Sequence, residues 1–493
     1  MNIATLLQMA AEAFPERGAF KCGDDEFTFG ELWNAALIAA MRFQSSQCQH
    51  IAYLGEASPA VPIALFGAAL AEMPFVPLNY RLSDGDLESL ASRISPALMV
   101  TDRRLDFQVD GLALVGIKEL LAADAAETLE VPLDPEALAV QLFTSGTTGA
   151  PKAALLRHSH LFSYIISSVE FMSAGEDEAQ LTSVPPYHIA GISAILSSVY
   201  AGRRVVQLPN FNAQAWLRLV LDEAITSAFV VPTMLARILS EIDTGASADC
   251  PALRAIAYGG GKMPVPVIEH ALEVFPNVEF TNAYGLTETS STVCLLGPEE
   301  HRQASASDDP QVRGRLGSVG RPLPSIEIEI RDQAGRPLGP NMSGEVYVRG
   351  PQVSGEYREK RLVDDDDDDG WFATRDAGMI DEGGYLYLSG RADDVIVRGG
   401  ENVSPGEVED VLLVHPSVSD VAVVGVPSKE WGEAIGAAIV LEDGVAGDED
   451  ALRVHVKARL RSSKVPEYIR FVRELPYTET GKLLRRLVKA DFQ

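Results

Sequence analysis

Residues 142–154 read LFTSGTTGAPKAA. An apolar strand runs into a segment where Gly146, Gly149 and the hydroxyl residues Thr144, Ser145, Thr147 and Thr148 precede Pro151 and Lys152. Small residues let backbone N–H groups approach an anion, hydroxyls donate further hydrogen bonds, and a lysine adds a point charge. The string therefore reads as a phosphate cradle at the end of a strand. It is not the P-loop of nucleoside triphosphatases, which places four residues between its glycines and Lys-Ser/Thr directly after the second. Here two residues separate the glycines and Lys152 precedes Ala153. A flexible Gly/Thr surface loop is the competing reading of a lone glycine pair, and the whole string with its lysine favours the cradle.

On either side of the cradle, short β-rich runs alternate with helical patterns. HIAYLG, SPAVPIALFGAALAEMP and FVPLN read as strand, helix, strand, and ALMVTD, LAVQLFT, RRVVQLP, SAFVVP and LRAIAYGG are further strands. This alternation predicts an α/β architecture with largely parallel sheets. From about Pro322 the texture changes to IEIEIRDQAGRPLG and GEVYVRG, antiparallel strands joined by a Gly/Pro turn. Beyond GRADD at 390–394, ENVSPGEVEDVLLVHP reads as a helix with Pro405 in its first turn and Ser404 and Glu407 forming a capping box. The strands VAVVGV and GAAIVLE and the helix DEDALRVHVKARL complete a separate small domain.

Composition narrows the function classes. The 493 residues, 46% hydrophobic, exceed one ordinary core. A formal charge of −29 with no offsetting basic stripe argues against nucleic acid and anionic membranes as partners. The four scattered cysteines show no zinc spacing and fit reduced thiols in the cytoplasm. No export signal and no run long enough to span a membrane is read, so integral membrane association is not expected.

Other segments gather chemistry. NAYGLTET, residues 282–289, puts a stackable ring, a tight turn, a hydroxyl and a carboxylate close together. Mg²⁺ is usually held by one or two carboxylates with phosphates and waters, so one glutamate beside a phosphate loop suffices. Asp376 can accept from vicinal hydroxyls, and Arg391 can brace a ribose or phosphate; taken singly, each residue type more often belongs to a surface ion pair.

Beginning with SGTTGAPK, the chain resembles the AMP-forming adenylating superfamily of acyl- and aryl-CoA synthetases, luciferases and peptide-synthetase adenylation domains, closest in kind to fatty-acid or aryl-acid CoA ligases. Its motifs recur in order as FTFGELW at 27–33, VPPYHIAG at 184–191, YGGGKMP at 258–264, NAYGLTET, TRDAG at 374–378 with GRADDVIVRGGENVSP at 390–405, and TETGKLLRR at 478–486. The resemblance implies a large N-terminal domain of αβ subdomains plus a β-rich subdomain (1–391), a hinge at 392–394 about Asp393, and a small mobile α+β C-terminal domain (395–493).

It also implies roles. The cradle residues and Lys152 would hold the phosphates of ATP. Gly259, Gly260 and Gly261 would form the adenine loop, joined by Asn282, Ala283 and Gly285, with Tyr284 stacking on adenine. Thr287 would contact the α-phosphate, Glu288 would ligate Mg²⁺, and Asp376 and Arg391 would bind the ribose. Lys482 would stabilise charge on the phosphate during adenylation, His188 would gate the acid site, and Gly399 and Gly400 would present backbone to the pantetheine of coenzyme A.

The implied reaction joins a carboxylic acid to coenzyme A through an acyl-AMP. PPYHIAGISAIL carries no aspartate to pair with an α-ammonium, which disfavours amino acids, and Ala190, Gly191, Ile192 and Ser193 leave an apolar wall suited to a fatty, alicyclic or aromatic monocarboxylate. Without an attached carrier domain, free coenzyme A is the expected acceptor, on a monomer or homodimer. The alternatives are an acyl-AMP ligase loading a carrier protein and a luciferase-like oxygenase. Finally, Asp364 to Asp369 read as a solvated run, whereas Asp376 stands where the superfamily usually has Thr-Gly-Asp, here Thr374-Arg375-Asp376. Arginine in the glycine position puts the local turn in question.

Overall fold

A computed structural model of the chain describes residues 1–121, 129–144, 151–358, 370–399, 401–477 and 483–492. Among these residues, two largely parallel sheets form the bulk of the large domain. The six-stranded sheet runs Leu112–Val115, Ala97–Val100, His50–Tyr53, Phe75–Pro77, Leu138–Thr144, Lys152–Arg157, parallel until its last antiparallel pair. Its inner strands are predominantly apolar and almost wholly buried because both faces are covered, as parallel sheets require. The helix Ala60–Leu70 is buried at every residue, as expected of a segment with no polar face. Alongside it, Phe29–Ser45 begins at a reciprocal cap: Thr28 Oγ1 accepts from the Glu31 N–H (3.2 Å) and Glu31 Oε2 from the Thr28 N–H (2.8 Å).

The nine-stranded sheet has six parallel strands, Gly18–Cys22, Arg204–Gln207, Ala179–Thr182, Ser227–Val230, Ala255–Gly259 and Glu279–Leu286 in spatial order. Antiparallel strands close its edges, Asp25–Thr28 at one and Ser291–Leu296 with Arg321–Pro322 at the other. In open α/β sheets, ligands bind outside the carboxyl ends of the strands. Here those ends deliver residues 259–261 and 284–288, and in the six-stranded sheet Thr144.

The change of texture at Pro322 is a real boundary. Glu327–Arg331, Gly344–Arg349, Phe372–Ile380 and Leu386–Arg391 form a four-stranded antiparallel sheet in that order. The small C-terminal domain follows, built on Glu401–Val403, Ile396–Arg398, Gly432–Leu441 and Val418–Ser428, with Tyr468–Val472 pairing parallel to Gly432–Leu441. The helices Pro405–Leu413 and Glu449–Lys457 bury Val408, Leu412, Leu452 and Val456 in its core.

One expected local feature does not form. Pro405 opens its helix, but Ser404 makes no cap bond; its hydroxyl donates instead to the Ser389 carbonyl (2.5 Å). Glu407 takes Lys464 at 2.6 and 2.8 Å, an ion pair with two short contacts in place of the single bond to a backbone N–H that a capping box would give it. Among the described residues, no helix is long and apolar enough to cross a membrane, and all four cysteines are free thiols.

Candidate functional site

Two paired strands flank the cradle string. Leu138–Thr144 and Lys152–Arg157 pair antiparallel with Thr144 opposite Lys152. Ser145, Gly146, Thr147, Thr148 and Gly149 lie outside the described residues, as do Gly400, Lys482 and Asp364 to Asp369. Lys152 is exposed, with Nζ 5.5 Å from the centroid of the Tyr357 ring, a cation–π contact.

Beside the hairpin, the strands Ala255–Gly259 and Glu279–Leu286 end together. Gly259 pairs with Ala283, and a Cβ at Gly259 would sit 2.2 Å from the Ala283 carbonyl oxygen. A Cβ at Gly285 would lie 1.7 Å from the Ser291 carbonyl oxygen, so only glycine allows the chain to double back so closely. The reversal is secured by Thr289, whose Oγ1 accepts from the Leu286 N–H (2.9 Å) and donates to the Ser291 carbonyl (2.8 Å). Gln352, fully buried, donates through Nε2 to the Thr289 and Thr292 carbonyls (3.0 and 2.8 Å). Asn282 donates to the Ser318 carbonyl (3.1 Å) and so has a structural bond of its own. Thr287 and Glu288 occupy the tight turn Thr287–Thr289, with Glu288 8% exposed and its Oε1 accepting from the Tyr357 hydroxyl.

The antiparallel sheet contributes the next group. Asp376 Oδ1 accepts from Arg391 Nη1 (2.8 Å), and Oδ2 accepts from the Tyr284 hydroxyl (2.6 Å). Burial, and then the Asp376 carboxylate, raise the Tyr284 phenol well above its ordinary value. Burial alone would pull Arg391 down, but the charge and hydrogen bond of Asp376, with the Glu288 charge added, raise it above the usual guanidinium value. Tyr284, Asp376 and Arg391 thus form one hydrogen-bonded group and Glu288, Tyr357 and Lys152 a second, and the Glu288 charge acts on Arg391.

The remaining expected residues lie around it. His188 stands at the start of the helix Ile189–Ala201, its ring 4.6 Å from that of Tyr187. Behind it, the Ser193 hydroxyl is 3.2 Å from that of Ser291, tying this helix to the turn after Glu288. The hinge residue Asp393 falls in the short turn Ala392–Asp394, and its neighbour Asp394 lies 3.6 Å from Arg485. Gly399 adopts φ +58 and donates to the Trp431 carbonyl (2.8 Å). Leu483 bridges to Tyr477, closing the base of the segment that carries Lys482.

Sequence reasoning missed Tyr357 and Gln352. Both follow the second strand of the antiparallel sheet in GPQVSGEY, a string whose only signal is an aromatic two residues after a glycine.

The group fits a magnesium nucleotide on its own chemistry. No cluster of three or more metal-ligating side chains occurs among the described residues. Glu288 is a buried carboxylate with one oxygen that receives no hydrogen bond among the described residues, and one such carboxylate suffices for Mg²⁺ where phosphates supply the rest. Lys152 and Arg391 provide the cations that an anionic nucleotide requires against so acidic a chain.

Comparison with known proteins agrees. The family model for the AMP-binding enzyme matches residues 7–358, and that for the AMP-binding enzyme C-terminal domain matches residues 407–482. The chain is 33% identical to a 2-succinylbenzoate–CoA ligase of Bacillus licheniformis, over 98% of this chain and 99% of the relative. It is 32% identical to the fatty acid–[acyl-carrier-protein] ligase ScoC of Streptomyces coeruleorubidus, over 100% and 97%. Among solved structures it is similar to the o-succinylbenzoate CoA synthetase MenE of Bacillus subtilis in complex with the acyl-adenylate intermediate OSB-AMP, with a TM-score of 0.85, 31% identity, and 98% and 97% of the two chains covered.

Proposed function

The chain belongs to the AMP-binding enzyme family as an AMP-forming acid:CoA ligase, and we propose that its acid is an aromatic or similarly apolar monocarboxylate. In the first half-reaction a carboxylate oxygen attacks the α-phosphorus of ATP, forming acyl-AMP as the bond to pyrophosphate breaks. In the second, the coenzyme A thiol attacks the acyl carbon and AMP leaves. Mg²⁺, when bound, offsets charge on the phosphates.

The residues divide that work. Lys152 and the cradle string hold the phosphates, and Glu288 provides the carboxylate for the metal. Asp376, held by Arg391 and Tyr284, accepts from the ribose hydroxyls. Lys482 stabilises charge on the pentacovalent phosphate. The observation that carries the reading is the pairing of Asp376 with Arg391 and Tyr284, together with the Glu288–Tyr357–Lys152 group whose carboxylate charge acts on Arg391.

The choice of acid rests on the helix Ile189–Ala201. It carries no charged side chain, and its first turns place Ala190, Gly191 and Ile192 after His188, a wall for an apolar body. The acid named for the Bacillus relatives is aromatic, which supports an aryl acid over a long-chain one. AMP release with ATP, Mg²⁺, coenzyme A and a panel of aryl, short-chain and long-chain acids tests this. Turnover confined to fatty acids would displace the aryl assignment, and no turnover with any acid would displace the ligase assignment.

Similarity to ScoC favours a second reading in which the acceptor is a carrier protein. Thioester formation on free coenzyme A and on a phosphopantetheinylated carrier, compared from the same acyl-AMP, separates the two.

A further inference from the structure

Tyr357 enters the site on a short segment laid along the phosphate hairpin. Tyr357 bridges Ala154, Leu155 N–H donates to the Glu356 carbonyl (2.9 Å), and Arg358 N–H donates to the Ala153 carbonyl (3.0 Å). Arg157 clamps the Glu356 carboxylate at 2.9 to 3.1 Å, and the Ser354 hydroxyl donates to the Leu155 carbonyl (2.6 Å). On its other side the segment holds the Glu288 turn, since Ser354 N–H donates to the Glu288 carbonyl (2.8 Å). Tyr357 is thereby fixed between the phosphate lysine and the buried carboxylate.

The two carboxylates of the site are treated differently. Asp376 is paired with the Arg391 cation. Glu288 is held at Oε1 by a neutral phenol, and among the described residues Oε2 receives no hydrogen bond. A neutral donor fixes a carboxylate without cancelling its charge, so the charge remains available to a cation.

We propose that Tyr357 is a positioning residue for the metal: its hydroxyl fixes the Glu288 carboxylate in one orientation with the second oxygen free for the Mg²⁺ of MgATP, while its ring steadies Lys152. This rests on Glu288 being the metal carboxylate. Fixing a long side chain in advance removes an ordering cost that metal binding would otherwise meet. Partners that orient a ligating group typically change metal affinity by about 10–100-fold when removed.

Tyr357→Phe removes the hydroxyl and keeps the ring over Lys152. MgATP binding is measured by calorimetry at graded Mg²⁺ without acid or coenzyme A, so that nothing turns over, with Glu288→Gln in parallel. The Mg²⁺ concentration for half-maximal binding should rise about 10–100-fold in Tyr357→Phe, with ATP affinity at saturating Mg²⁺ and the melting temperature unchanged. If Tyr357→Phe keeps the parent dependence while Glu288→Gln shifts it, the proposal is overturned and the Glu288 assignment stands. If neither variant shifts, both are overturned.

Discussion

Asp376 and Arg391 face each other across the ladder between Phe372–Ile380 and Leu386–Arg391, with Oδ1 2.8 Å from Nη1. Because Tyr284 donates to the other oxygen at 2.6 Å, the carboxylate cannot turn without losing one of two bonds. Under the proposed function, its remaining lone pairs accept from the ribose diol. Asp376→Asn should raise the KM for ATP about ten-fold, worth about 1.4 kcal/mol, with a smaller effect on kcat. Asp376→Ala should in addition lose about 2 kcal/mol of stability, because Arg391 and the Tyr284 hydroxyl lose their shared acceptor. Replacing Asp364 to Asp369 by asparagine should leave the KM for ATP at the parent value, since a run of solvated like charges contributes through a screened field alone. A KM that follows the run rather than Asp376 would reverse the assignment.

The parts of the site legible in the sequence are those where local backbone needs dictate the residue. Gly259 and Gly285 are required by close chain approach and so are visible in short motifs. The strand runs at 50–53, 97–100 and 255–259 were legible because buried parallel strands are apolar at successive positions. Tyr357 was not legible, because its contact with Glu288 spans 69 residues and leaves no periodic trace. The Ser404–Glu407 capping box was read from spacing alone, and Lys464, 57 residues from Glu407, supplied a stronger partner. Local patterns report local bonds; the competition among distant partners is decided by the fold.

Arg375 settles the question raised by Thr-Arg-Asp. It adopts φ +63, the left-handed conformation that glycine would take without strain, at a position where the ladder with Gly344–Arg349 shifts register. Its side chain is 62% exposed and gains a distant pairing with Glu345 at 3.8 Å, worth little at the surface. The left-handed region costs a non-glycine residue about 1–2 kcal/mol, partly offset by the extra chain entropy glycine has when unfolded. Arg375→Gly should therefore stabilise the protein by about 0.5–1 kcal/mol, read as a higher urea midpoint at unchanged slope, with the KM for ATP retained. Destabilisation would mean that the Glu345 contact outweighs the backbone term.

Lys482 should separate the half-reactions. Its proposed target is charge that grows on the α-phosphate during adenylation, charge that thioester formation from acyl-AMP does not develop in the same place. Lys482→Ala should slow acyl-AMP formation by about 100-fold or more, the scale of losing one preorganised donor. Coenzyme A thioester formation from supplied acyl-AMP should stay near the parent rate. Single-turnover measurements of each half suffice, and equal loss in both would contradict the division of labour.

His158 links the N-terminus to acid sensitivity. The ring is 1% exposed, and Nδ1 accepts from the Ile3 N–H at 3.3 Å. Burial, and then the N-terminal charge, push its pKa down from 6.5 to about 4. Between those values the unfolded chain binds a proton that the folded chain refuses, so stability is full above about pH 6.5 and falls as the pH drops toward 4. From pH 7.5 to 5 this residue should remove about 2 kcal/mol. His158→Gln keeps an acceptor for the Ile3 N–H and has no proton to gain. Urea unfolding of parent and variant across that range should give curves that converge or cross as the pH falls, with the variant losing about 2 kcal/mol less, whereas a constant offset between them would show that His158 titrates normally in the folded protein.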